Sequence, residues 1–98
     1  MSQGAELDRA LAALPGWRLQ EGRLRRSFRF EDFRVAFGFM SAVALHAERV
    51  GHHPDWTNVY NRVDVALWTH DAGAVTLADA ELAAAMDALA TRFGAMEA

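Results

Sequence analysis

The sequence of 98 residues predicts an α+β fold: two layers, a four-stranded antiparallel sheet with helices on one face, in the order α-β-β-α-β-β-α. Three observations carry this. Period-two hydrophobic segments come in two adjacent pairs, each joined by a short turn. Segments of helical period precede, separate and follow those pairs. No pattern calls for a parallel crossover, and helices set on one face of hairpins make an α+β arrangement.

The elements follow in order. Leu7, Ala10, Leu11 and Leu14 recur at helical spacing over Gln3–Leu14, and Pro15-Gly16 stops that helix. From Trp17 the period changes to two. Trp17 and Leu19 alternate before the turn at Glu21-Gly22; after it Leu24, Phe28 and Phe30 take one parity and Arg23, Arg25, Ser27 and Arg29 the other. Arg26 breaks the apolar parity, as a residue near a strand edge does. A second helix spans Glu31–Val50, with Asp32 or Glu31 favouring its N-terminus and Gly51 as its C′ residue. Trp56–Tyr60 and Val63–Thr69 make the second hairpin around Asn61-Arg62, with Val63, Val65 and Leu67 on one buried face. The last helix begins at Thr76, which with Asp79 forms a capping-box pattern; Leu82, Met86, Leu89 and Phe93 give its core face.

Composition bounds the function. One domain, 1–98, accounts for the length, and 52% hydrophobic residues exclude a disordered tail. A net charge of −3 argues against direct nucleic-acid binding, which needs a basic surface. The absence of cysteine excludes disulfides, thiol nucleophiles and iron–sulfur clusters. No secretion signal or membrane span is read, so the expected location is cytoplasmic.

The chemistry concentrates in Glu48-Arg49-Val50-Gly51-His52-His53-Pro54-Asp55-Trp56 and Trp68-Thr69-His70-Asp71, which hold three of the four histidines at breaks in regular structure. Histidine gives and takes protons near neutral pH, so this clustering points to acid–base catalysis. Glu48, one helical turn before His52, is placed to orient it, and Asp79 to hold His70 in one tautomer. Taken alone, His52 and His53 are polar residues after a helix C-terminus, and capping accounts for Asp79. Trp68 is read as packing first and as pocket wall second. His46 is read as a surface residue.

Ala36-Phe37-Gly38-Phe39-Met40, His52-His53-Pro54, Asn58-Val59-Tyr60-Asn61 and Thr69-His70, continuing to Asp79, resemble the pterin-4a-carbinolamine dehydratases. The resemblance implies elimination of water from a 4a-hydroxytetrahydropterin, the product left by aromatic amino-acid hydroxylases, to give quinonoid dihydropterin in tetrahydrobiopterin recycling. It implies His52, His53 and His70 as catalytic residues, supported by Glu48 and Asp79; Gly51, Trp68, Thr69 and Asp71, adjoining the histidines in the chain, are expected to border the pterin with them. No metal or other cofactor is implied. Gly51 and Thr57 depart from the family, where an acidic residue and an aromatic are common.

Two rival readings stand beside this one. A metal site would use the three histidines with Glu48 and Asp79, although no pair has the His-x-x-x-His helical spacing. A non-enzymatic protein-interaction or assembly module of the same fold is the other. The second helix is apolar around most of its circumference, so a homo-oligomer is expected, a tetramer first and a dimer second, with Phe39 or Val43 facing outward.

Overall fold

The period-two segments pair into one antiparallel sheet in the computed structural model, which describes residues 3–96. Residues 1, 2, 97 and 98, at the ends of the predicted 1–98 unit, lie outside the described residues. The elements are α1 (Gln3–Ala12), β1 (Arg18–Gln20), β2 (Arg23–Arg29), α2 (Phe33–Val50), β3 (Asp55–Val59), β4 (Arg62–Leu67) and α3 (Leu77–Arg92), in the predicted order. The strands lie β1-β2-β4-β3, so the two hairpins join through β2 and β4, and β1 and β3 form the edges.

Register follows from burying one face. Leu24 stands opposite Leu67, Arg26 opposite Val65 and Phe28 opposite Val63. All but Arg26 are buried there. The helices cover this face with Ala36, Phe39 and Val43 from α2 and Leu82, Ala83 and Met86 from α3. Phe39 sits with its ring 5.1 Å from Phe28 and 4.8 Å from Phe30, the aromatic centre of the core. Gly38 beside it admits α3's end: a Cβ there would lie 3.0 Å from the Phe93 ring. No helix among the described residues is long and apolar enough to cross a membrane.

Several expectations are corrected. Arg26 lies mid-strand on an inner strand, on the core face. It stays there because its Nη1 donates to Asp87 Oδ1 at 2.9 Å, where Trp17 Nε1 also donates at 2.8 Å. Leu19 shares the apolar parity yet is exposed, since β1 is a three-residue edge strand. The second turn is Tyr60-Asn61 rather than Asn61-Arg62, with Tyr60 at φ 51° and Asn61 Nδ2 donating to Phe30 O.

The outward face of α2 is also corrected. Phe39 and Val43 are both 0% exposed. With Ala36 and Ala47 they recur every three or four residues, the stripe a helix turns toward one neighbour. Phe33, Phe37 and Leu45 lie away from the core instead, with Phe37 53% exposed and its ring 5.7 Å from that of Phe33.

Candidate active site

Two chain breaks build the site. α2 starts from Asp32, whose Oδ1 accepts from Val35 N, and ends at Gly51 in the left-handed conformation, φ 72°. That residue turns the chain away from the helix axis and into His52-His53-Pro54. After β4, Thr69 and Ala74 bridge across a tight turn that carries His70 and Asp71. The antiparallel register places Asp55 opposite Ala66, so the start of β3 lies beside the end of β4 and the two histidine segments meet. Gly51, His52, His53, Thr69, His70 and Asp71 line an open cavity of about 390 Å3, with Pro54 and Asp55 between the two segments. That volume suits a small ligand. Trp68 is absent from the lining and stacks on His70 instead, ring centroids 4.0 Å apart.

The innermost group is Asp79, fully buried in the first turn of α3. A buried carboxylate needs donors, and three converge on it. His52 Nε2 lies 2.6 Å from Oδ1, while Thr69 Oγ1 and the Thr76 backbone N–H each donate to Oδ2 at 2.8 Å. The Thr76 bond is the reciprocal half of the predicted capping box. Thr69 and Thr76 hydroxyls are 2.7 Å apart. Since Thr69 spends its one hydroxyl proton on Asp79, Thr76 is the donor between them. His52 Nε2 then donates to an acceptor-only carboxylate, which leaves Nδ1 as the acceptor of the neutral ring.

Both carboxylates pair with histidines other than the expected ones. Asp79 holds His52 rather than His70, because Thr69 turns its side chain to Asp79 while His70, in the turn that follows, stacks on Trp68. Glu48 reaches His53, Oε1 to Nε2 3.1 Å, rather than His52, which the turn at Gly51 directs inward. Both Glu48 and His53 are exposed, so this pair is weak. The sequence marks Thr76 only as a helix cap and Asp55 only as part of the histidine run, and assigns neither a role in the site. Asp55's position directly after His53-Pro54 was the available signal. Among the described residues, no three histidine, cysteine, aspartate or glutamate side chains converge as a metal site.

Away from the cavity, on the outer sheet face, burial would raise the Asp64 carboxyl. Hydrogen bonds from Ser27 and Arg62 and the charge of Arg62 outweigh it and hold Asp64 below the usual carboxylate value of 3.8.

Residues 2–89 match the sequence model of the pterin 4 alpha carbinolamine dehydratase family. The chain belongs to that family. A Rhodopseudomonas palustris strain HaA2 protein provisionally named pterin-4-alpha-carbinolamine dehydratase is 57% identical over 93% of this chain and 92% of its own. A protein of the same provisional name from Bradyrhizobium sp. strain BTAi1 is 61% identical over 83% of this chain and 84% of its own. Among solved structures, the transcriptional coactivator/pterin dehydratase from Brucella melitensis superposes with a TM-score of 0.81 at 49% identity, over 92% of this chain and 97% of that one. A pterin dehydratase-like RuBisCO assembly factor of the α-carboxysome gives 0.67 at 28% identity, over 76% and 89%. The span matched to the dehydratase family contains the cavity residues, Glu48 and Asp79.

Proposed function

We propose that this chain dehydrates a 4a-hydroxytetrahydropterin to quinonoid dihydropterin and water, in the recycling of tetrahydrobiopterin after an aromatic amino-acid hydroxylase. The observation that carries the reading is a ligand-sized cavity lined by His52, His53 and His70, with His52 Nε2 2.6 Å from a fully buried Asp79. In the reaction the C4a–O bond breaks and the hydroxyl leaves as water with a proton from an acid. The neighbouring ring nitrogen gives its proton to a base, and its electron pair forms the C=N bond. Two proton-transfer groups on either side of the pterin suffice.

His52 fits the base. Its Nε2–H is committed to Asp79, and Nδ1 is the nitrogen left to accept a proton. His70, on the opposite turn, fits the acid, and His53 with Glu48 fits substrate orientation. In this reading Gly51, Thr69 and Asp71 contact the pterin and the protein acts in the cytoplasm without a metal or other cofactor. It assembles as a homotetramer. The exposed Phe33, Phe37 and Leu45 of α2 support one interface, and the free edge of β3 supports sheet pairing in a dimer.

The test is a direct assay on a 4a-hydroxytetrahydropterin generated in place by a hydroxylase. Acceleration of dehydration over the uncatalysed rate is expected. Absence of acceleration would favour the second reading, a protein-interaction or assembly module. That reading draws on the same exposed row of α2, which also suits a foreign partner.

A further inference from the structure

His52 and His53 each have a carboxylate at hydrogen-bond distance, but among the described residues His70 has none. The carboxylate facing it, Asp55 Oδ2, stands 3.8 Å from Nε2, beyond hydrogen-bond length. His70 also lies on an exposed turn, where an imidazole samples several rotamers. A proton-transfer group needs a fixed direction, so something else must hold this ring.

Trp68 is placed to do so. Its indole stacks on the His70 ring at 4.0 Å between centroids and 25° between planes. The Arg23 guanidinium carbon lies 3.7 Å from the indole centroid. Two groups this close to one indole cannot share a face, so Arg23 and His70 sandwich it. The indole is also fixed in its own plane, because Nε1 donates to Asp55 Oδ2 at 2.6 Å. Sheet register produces the arrangement. Leu24 opposite Leu67 puts Arg23 beside Trp68, and Asp55 opposite Ala66 puts the carboxylate two residues away on the same outer face.

The geometry points to Asp55 as a positioning residue: one carboxylate oxygen fixes the Trp68 indole, and the indole, backed by Arg23, fixes the plane of His70. Asp55 also begins β3 directly after His53-Pro54, so the same residue sets the spacing between the two histidine segments. The kinetic part of this inference rests on the proposed dehydration; the structural part does not.

The test uses Asp55→Ala, Asp55→Asn and Trp68→Phe in the full chain, with two readouts. The first is the carbon-bound imidazole proton resonance of His70, assigned by its loss in His70→Ala. In the wild type it should be shifted upfield by the indole ring current, given the stacked rings. The second is the split of dehydration into kcat and KM. Asp55→Ala should release the upfield shift and lower kcat by roughly tenfold to a hundredfold, with KM nearly unchanged. Asp55→Asn keeps an acceptor for the indole N–H and should retain most of both. Trp68→Phe keeps a ring but loses the anchoring N–H, and should follow Asp55→Ala; it decides the matter if Asp55→Ala fails to fold. A His70 resonance that stays upfield in both Asp55→Ala and Trp68→Phe would overturn the inference, as would loss of the shift with kcat intact. If the wild type does not dehydrate the pterin at all, the proposed function fails, and the resonance alone still decides whether Asp55 positions His70.

Discussion

Replacing Asp79 by Asn tests the proposed base with almost no change of shape. Oδ2 of Asp79 receives two donors, Thr69 Oγ1 and Thr76 N, and Oδ1 receives one, His52 Nε2. The new amide has one oxygen and one NH2. With its NH2 toward the two donors, it would leave both without an acceptor, at about 1–3 kcal/mol each, roughly 2–6 kcal/mol together. With its NH2 toward His52, the conflict disappears if the imidazole moves its proton from Nε2 to Nδ1. The second arrangement therefore wins, and the nitrogen proposed to accept the substrate proton becomes a donor. A comparable tautomer error in a histidine–aspartate pair costs about 10^4 in kcat, so a loss between about 10^2 and 10^4 is expected. Weaker bonds to a neutral partner should lower stability by about 2 kcal/mol, a Tm decrease of roughly 8–16 °C in a chain of this size. Dehydration kinetics below the melting range and the nitrogen chemical shifts of His52 are the measurements. A variant that keeps the wild-type rate, or whose His52 keeps its proton on Nε2, would refute the assignment.

Other outcomes follow from the same geometry. His52→Ala and His70→Ala should each lower dehydration by roughly a hundredfold or more while the fold persists; near-normal rates in both would remove the acid–base assignment. Phe37→Asp, on the exposed side of α2, should split the proposed homotetramer or make it aggregate in light scattering, and a wild type that is monomeric at micromolar concentration would refute that assembly. Phe39→Asp, at the core position, should unfold the subunit, since even truncation of a buried Phe costs about 3–5 kcal/mol. For Asp64, the folded value lies below the ordinary 3.8, so the unfolded chain takes up the proton first. Its stabilising contribution is complete above pH 3.8 and disappears as pH falls through the lower folded value. Urea denaturation should thus show Asp64→Asn losing less stability over that acid range than the wild type, and parallel curves would contradict it.

Element order, the identity of most core residues and the two histidine segments that meet at the cavity were legible in the sequence, because they rest on short-range signals. Alternation marks β2 and β4, Asp32 and Gly51 bracket α2, and the two histidine segments stand out by composition. Even locally the reading failed where two signals compete. Asn61-Arg62 and Tyr60-Asn61 both read as turns, and an Arg on the apolar parity shows nothing of an Asp waiting 61 residues away. The face of α2 was ambiguous because nearly every side was apolar, and only the position of the sheet separated Phe39 from Phe37.

The site shows the same division. Sequence named three histidines and two acids, but spacing along the chain cannot say which acid meets which ring. That choice was made by packing α3 over the end of α2, by the turn after β4 that sends Thr69 to Asp79 and His70 to Trp68, and by the register that sets Asp55 across from Ala66. Side-chain partnership over 27 residues, as between His52 and Asp79, is a property of how the layers dock, and layer docking is decided by the whole apolar surface at once.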